Sequence, residues 1–247
     1  MGEPYSGKNA VITGGGAGMG LALAKRLVDG GARVVITGRS GATRDAAREL
    51  GGNALAVLGD VSSPSDLEAL ADRVRGELGT VEALFVNAGI AGTTPFETTT
   101  EEVFDEMFAI NVKGAFFTVQ KLAPLLSAGA GVVLTTSVAH SIGMVDSSVY
   151  AASKAALRSM ARNFARELLP RGIRVNAISP GPIDTGILEK MMTAEAAARF
   201  KAQVVAENPM QRFGTVEEFS RAAAFLAFEA TYTTGSEFAL DGGRTQL

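Results

Sequence analysis

Seven short runs of β-branched and other apolar residues recur along the chain, at Ala10–Thr13, Arg33–Thr37, Ala54–Leu58, Ala83–Val86, Gly131–Thr136, Arg174–Ile178 and Glu237–Leu240. Between them lie longer segments with apolar residues at helical spacing. Leu21, Leu23, Ala24, Leu27 and Val28 form one such stripe, which stops at Gly30-Gly31. Ser63-Pro64-Ser65-Asp66 reads as an N-cap, a proline in the first turn and an acid near the helix N-terminus, and Leu67, Leu70, Ala71 and Val74 carry that helix onward. Two longer helical segments run from Glu101 to Leu126 and from Val149 to Leu169. Strands alternating with helices predict βαβ units, hence an α/β, doubly wound fold: a seven-stranded parallel sheet with helices on both faces.

The alternation fails once. "PGPIDTGILEKMMTAEAAARFKAQVVAENPMQRFG", from Pro180 to Gly214, holds helical pieces and no strand. An insertion at the C-terminal end of a strand in such a sheet lies where ligands bind and lids are built. No Pro/Gly/Ser-rich linker divides the chain, so the expectation is one domain over residues 1–247 with a substrate lid at about 182–213.

Composition narrows the partners. Charged residues make up 20% of the 247, and a net charge of -3 with scattered Lys and Arg offers no footprint for nucleic acid or an anionic membrane surface. No cysteine and one histidine exclude a disulfide framework and a Cys/His zinc site, and no metal is expected. Met1 to Lys8 lacks the basic-then-apolar order of a signal peptide, and no apolar stretch is long enough to span a bilayer. A soluble cytoplasmic protein is expected.

The stretch "TGGGAGMG", Thr13 to Gly20, joins the first strand to the first helix. Glycines there permit a tight turn and let the backbone approach a pyrophosphate, while the helix N-terminus offers unpaired N–H groups to the anion. Tyr150 and Lys154 stand at i and i+4, on one face of a helix. A free tyrosine, with a pKa of about 10, is a poor acid or base at neutral pH, and a nearby ammonium favours its phenolate.

The spacing Thr13-Gly14-x-x-x-Gly18-x-Gly20 resembles the glycine motif of the short-chain dehydrogenase/reductase family. "NAG" at Asn87–Gly89, "NVKG" at Asn111–Gly114, "YAASK" at Tyr150–Lys154, 13 residues beyond Ser137, and "SPGPIDT" at Ser179–Thr185 follow in the family's chain order. The resemblance spans essentially the whole chain. It implies a Rossmann fold and hydride transfer between C4 of a nicotinamide and a carbonyl or carbinol carbon. It assigns proton transfer to Tyr150, a hydrogen bond on the same substrate oxygen to Ser137, and a water in the proton relay to Asn111. Lys154 would lower the tyrosine pKa and bind the nicotinamide ribose.

By the same resemblance, Gly14, Gly16, Gly18, Met19 and Gly20 would cradle the cofactor. Asp60 with Val61 would meet adenine, and Asn87, Ala88 and Gly89 the ribose. Pro180, Gly181, Ile183 and Thr185 would meet the nicotinamide carboxamide and phosphates. At the end of the second strand an acid would select NAD and an arginine NADP. Gly38 occupies the acid's place and Arg39 follows, with Thr37 or Ser40 as neutral partners, so NADP(H) is favoured over NAD(H). His140, three residues beyond Ser137, is expected to line the pocket or to be solvated. Met144 is expected on the substrate side, with lid residues Met191, Met192, Phe200 and Val204 offering apolar surface over the site and the two lid methionines lining it.

The expectation is an NADP(H)-dependent ketoreductase or alcohol dehydrogenase acting on a small carbonyl or alcohol. An NAD(H)-dependent alcohol, sugar or steroid dehydrogenase and a non-catalytic dinucleotide sensor are the alternatives. Phe104, Phe108, Phe116, Phe117 and Val119 in one long helix, and Ala151, Ala152, Ala155, Ala156 and Met160 in the other, exceed one core-facing stripe. The resembled family pairs these helices across a two-fold axis, which implies a homotetramer, or failing that a dimer, with Phe238–Leu240 as a second contact.

Overall fold

Successive side chains of a strand point to opposite faces of a sheet, so a strand buried on both sides reads as a continuous apolar run. The computed structural model of the chain describes residues 3–247, apart from the side chains of Lys190 and Met191. It contains β1 (Asn9–Thr13), α1 (Gly18–Asp29), β2 (Arg33–Gly38), α2 (Gly41–Leu50), β3 (Ala54–Leu58), α3 (Pro64–Leu78) and β4 (Val81–Val86). These are followed by α4 (Glu101–Phe108), α5 (Ala115–Leu122), β5 (Leu126–Thr135), α6 (Ser148–Leu168) and β6 (Arg174–Pro180). The last third holds β7 (Ile183–Asp184), α7 (Leu188–Met191), α8 (Ala194–Glu207), β8 (Gly214–Thr215), α9 (Val216–Ala224) and β9 (Glu237–Leu240).

The sheet is seven-stranded and parallel, in the order β3-β2-β1-β4-β5-β6-β9. Val11, Val35, Leu84 and Val132 face one layer, formed by α3, α5 and α6. Ile12, Ile36, Phe85 and Val133 face the other, formed by α1, α2 and α9. The two periodicities therefore meet in a core on each side of the sheet. Among the described residues, no helix is long and apolar enough to cross a membrane.

Local signals explain the helix ends. The Ser63 side chain accepts a hydrogen bond from the Asp66 N–H, with Pro64 in the first turn of α3. Thr215 and Glu218 form a reciprocal capping box at the start of α9. In α1 a Cβ on Gly20 would land on the Gly14 carbonyl oxygen, so only glycine lets this helix come so close to the end of β1. Gly18, with φ +51°, makes the bend that starts the helix.

Two expectations are corrected. The segment from Glu101 to Leu126 is helical as far as Leu125 but not uniformly α-helical: between α4 and α5 the coil widens into a π-helical turn over Ala109–Gly114, and Ala123–Leu125 tightens before β5. The wide turn carries Asn111, whose side chain bonds the Ile90 backbone, and such turns are frequent at functional sites. Nor is the 180–214 segment free of strand. Its two ends run side by side as β7 and β8, which pair in parallel and fasten the base of the insertion holding α7 and α8.

From β1 the chain winds one way through β2 and β3, and from β4 the other way through β5, β6 and β9. The crevice beyond the carboxyl ends of β1 and β4 is the topological switch point, where open α/β sheets bind ligands.

Candidate active site

The loop from Gly14 to Gly18 opens on this crevice and leads into α1, whose first turn carries no acid and whose N-cap, Ala17, makes no side-chain bond. Its backbone N–H groups are thus left for an external anion. The Thr13 hydroxyl accepts hydrogen bonds from the backbone N–H of both Asn87 and Ala88, each at 3.0 Å. The Asn87 amide donates back to the Thr13 carbonyl and accepts from the Thr135 hydroxyl at 3.2 Å. These bonds join the ends of β1, β4 and β5. On the far side, Gly18 lies against Thr185, so the loop after β6 closes over the glycine loop.

A cavity of about 140 Å³ lies beyond β2 and β3, lined by Gly14, Gly38, Arg39, Asp60, Val61, Ala88 and Gly89 among others. Arg39 reaches to 3.8 Å from the Asp60 carboxylate, and its side chain is 60% exposed. Burial raises the Asp60 pKa, but the two hydrogen bonds from Ser62 and the Arg39 charge outweigh it and hold the carboxyl below its ordinary value. A Cβ on Gly38 would stand 2.5 Å from the Thr43 hydroxyl, so an acidic side chain has no room there unless Thr43 moves. Ser40, Gly16, Met19 and Gly20 do not line this cavity; Ser40 occupies the N-cap of α2 without a side-chain bond.

Tyr150 and Lys154 lie one turn apart near the start of α6, with the lysine nitrogen 5.8 Å from the centre of the phenol ring. That nitrogen donates to the Thr135 carbonyl at 3.0 Å. Lys154 is 5% exposed, and burial lowers its pKa to about 8. Tyr150 departs from expectation. Burial raises its pKa, and the hydrogen bond with the Ser137 hydroxyl only partly offsets that rise. Desolvation disfavours phenolate more than the Ser137 bond favours it, and burial likewise disfavours the charged form of the lysine.

Asn111 is fully buried. Its carbonyl oxygen accepts from Ile90 N–H at 2.8 Å, and its amide donates to the Ile90 carbonyl at 2.9 Å and to Ser153 at 3.1 Å. A Cβ on Gly89 would meet both the Asn111 oxygen and the Lys154 nitrogen, so the loop after β4, the wide turn and α6 converge at this point.

Ser137 and Tyr150 line a second cavity of about 360 Å³ with Pro180, Gly181, Ile183 and Met144. Phe200 and Val204 of α8 also stand in its wall. Met192 is not in its wall, and the Met191 side chain lies outside the described residues. His140 also turns away. Its Nε2 lies 2.6 Å from Glu237, and the same carboxylate accepts from Thr136 at 3.2 Å and Arg158 at 3.1 Å. Glu237 thereby fastens the Ser137 turn to α6. Neither it nor Arg158, Phe213, Glu207 and Arg244, the last three in the cavity wall, stands out in the sequence. Contacts between residues so far apart in the chain leave no spacing signal.

The buried lysine has a measurable consequence for stability. Its folded pKa of about 8 is below the ordinary lysine value of 10.5, so between those pH values the unfolded chain binds a proton that the folded chain has released. Stability must then rise with pH across this window, by up to roughly 3 kcal/mol. Against Lys154→Met, which cannot titrate, the wild type is expected to gain by this amount in chemical denaturation as pH rises from 8 towards 10.5. A difference that stays flat with pH would mean that Lys154 is not desolvated.

The comparisons agree with this geometry. Residues 14–245 match the family model described as enoyl-(acyl carrier protein) reductase. Oxidoreductase asL5 of Sarocladium schorii is 41% identical over 99% of this chain and 98% of its own length. The 7alpha-hydroxysteroid dehydrogenase of Escherichia coli K12 is 36% identical over 97% of this chain and 95% of its own. A crystal structure of a short-chain dehydrogenase/reductase, glucose/ribitol dehydrogenase, from Brucella melitensis superposes with a TM-score of 0.92 at 27% identity, covering 100% of both chains. With the switch-point crevice and the Ser137, Tyr150 and Lys154 constellation, these matches make the chain an oxidoreductase of the short-chain dehydrogenase/reductase family.

Proposed function

We propose that this oxidoreductase reduces a ketone, or oxidises the corresponding secondary alcohol, with NADP(H). The observation that carries the reading is that Ser137 and Tyr150 line one cavity while Lys154 is buried beside the phenol ring. A nicotinamide cofactor supplies or accepts the hydride when bound. A phenol held above its ordinary pKa is protonated at neutral pH, as the proton donor in carbonyl reduction must be. Ser137, in the same cavity wall, hydrogen-bonds the same oxygen in this reading. The Lys154 ammonium and the Ser137 hydroxyl stabilise the phenolate left behind, and Asn111 fixes the Ile90 backbone beside them. The insertion from 182 to 213 acts as a lid on a single catalytic domain.

The preference for NADP(H) is supported by Arg39 at the rim of the smaller cavity and by the lack of room for an acid at Gly38. Arg39 is mostly exposed, and its separation from Asp60 is long for a charge-assisted bond, which leaves the guanidinium able to take a phosphate. Assembly as a homotetramer is supported by apolar side chains left uncovered in one protomer. Phe104, Phe116 and Phe238 are 44%, 39% and 41% exposed, and Ala152 and Ala155 are exposed on α6. Closed symmetric pairing would cover them.

Tyr150→Phe is expected to lower turnover by at least about a hundredfold, the scale of general acid–base catalysis, with cofactor affinity near wild type. A variant that keeps most of its turnover would overturn the role given to Tyr150. Arg39→Ala should raise the KM for NADPH about ten- to a hundredfold more than that for NADH, the range for losing a charge-assisted pair. A wild type that already prefers NADH reverses the cofactor reading. Light scattering at working concentration should give a tetramer, with a dimer as the smaller acceptable assembly, whereas an active monomer refutes the pairing of these helices.

A further inference from the structure

The larger cavity is apolar over most of its wall, from Val138 and Met144 to Ile187 and Phe213, yet Arg244 also lines it. Among the described residues, it is the one cationic side chain in that wall. A guanidinium carries five donors, and those of Arg244 that meet no protein acceptor stay within reach of solvent, open to a ligand. The Arg244 side chain is 18% exposed, and its only side-chain partner among the described residues is Glu207, with Nη2 to Oε2 at 3.2 Å. That is longer than a strong charge-assisted bond, about 2.7–2.9 Å. The carboxylate is 49% exposed, so water can take it over.

Two other arginines of the chain, Arg212 and Arg174, are better matched. Arg212 grips Glu218 through both nitrogens at 2.9 and 2.7 Å, and Arg174 donates to the carbonyls of Leu226, Ala227 and Ala230. Arg244 is instead held firmly by its backbone and loosely at its head. The Asp241 carboxylate accepts from Gly243 N–H and Thr245 N–H, both at 2.9 Å, and from the Thr245 hydroxyl at 2.7 Å. The Asp241 carbonyl accepts from Asn208, next to Glu207 at the end of α8, at 3.0 Å. A fixed backbone presenting an under-partnered planar fork to an apolar cavity suits a bidentate oxyanion.

We propose that Arg244 selects carbonyl substrates with an apolar body and one oxyacid anion (carboxylate, phosphate or sulfonate), and that Glu207 covers the guanidinium until such a group displaces it. This rests on the ketone-reducing reading of the cavity. The cavity, about 360 Å³, has the size of a small-ligand site. Glu207 gives a sharper test than Arg244 alone. If Arg244 and Glu207 merely tie the C-terminal turn to α8, removing either side chain's charge harms every substrate alike. If the anion competes with Glu207, the two removals act in opposite directions.

The probes are medium-chain oxo acids paired with their methyl esters, and the readout is the ratio of kcat/KM for acid over ester. Wild type should favour the acid. Arg244→Gln should lower the ratio about ten- to a hundredfold, and Glu207→Gln should raise it. Equal handling of acid and ester by wild type overturns the proposal, as does a parallel fall in both variants with the ratio unchanged. Calorimetry with a medium-chain alkanoate separates this proposal from the ketone-reducing reading. Binding that needs Arg244 in a chain that reduces no ketone upholds the anion site and sinks the reductase. Reduction of esters without Arg244-dependent alkanoate binding does the reverse, and absence of both sinks the two together.

Discussion

The Thr13 hydroxyl, accepting from the N–H groups of Asn87 and Ala88, ties together the ends of β1 and β4, the two strands between which the winding of the parallel sheet reverses. These are backbone donors at strand ends, where no neighbouring strand supplies an acceptor. The loops on the cofactor side of the functional face are placed from this junction. The glycine loop leaves from Thr13, the loop after β4 runs from Asn87 past Gly89 to Ile90, and Asn111 grips Ile90 from the wide turn between α4 and α5. Thr135 bonds Asn87 through its hydroxyl and Lys154 through its carbonyl, extending the junction across β5 to α6. A side chain without a well-placed hydroxyl at position 13 would leave two N–H groups unmet, at a cost of about 1–3 kcal/mol each.

Burial then sets the chemistry. The cover that excludes water from Tyr150 and Lys154 moves their pKa values in opposite directions, the phenol up and the ammonium down. Both shifts favour the neutral forms, but a lysine pKa of about 8 still lies above neutral pH, so the two groups begin as a neutral acid and a weakly held cation. Such a site is less stable than an apolar one, and this is the usual compromise between foldability and activity. The clamp at Glu237 has the complementary task. It ties Thr136 and His140, which flank Ser137, to Arg158, one turn beyond Lys154 on α6.

Much of this was legible in the sequence because the signals are local. Each of the seven main-sheet strands holds several apolar residues within a short stretch, and the Ser63 cap and the Tyr150–Lys154 pair are fixed by spacings of a few residues. What could not be read depends on contacts distant in the chain. The wide turn at Ala109–Gly114 forms around Asn111 reaching Ile90, and β7 exists only because β8 returns to pair with it. Sequence proximity to Ser137 suggested the cavity for His140, whereas a carboxylate 97 residues away captures it. The direction of the Tyr150 shift was missed for the same reason: spacing shows the neighbouring lysine but not the extent of burial.

Direct hydride transfer at this site is tested most plainly by following a label. With a ketone substrate and reduced cofactor carrying deuterium in both C4 positions of its nicotinamide, every product molecule should carry one deuterium on the new carbinol carbon. The hydroxyl proton should come from solvent, as expected if Tyr150 relays it. Turnover that leaves the carbinol carbon unlabelled, with deuterium lost to water, would contradict hydride transfer between cofactor and substrate.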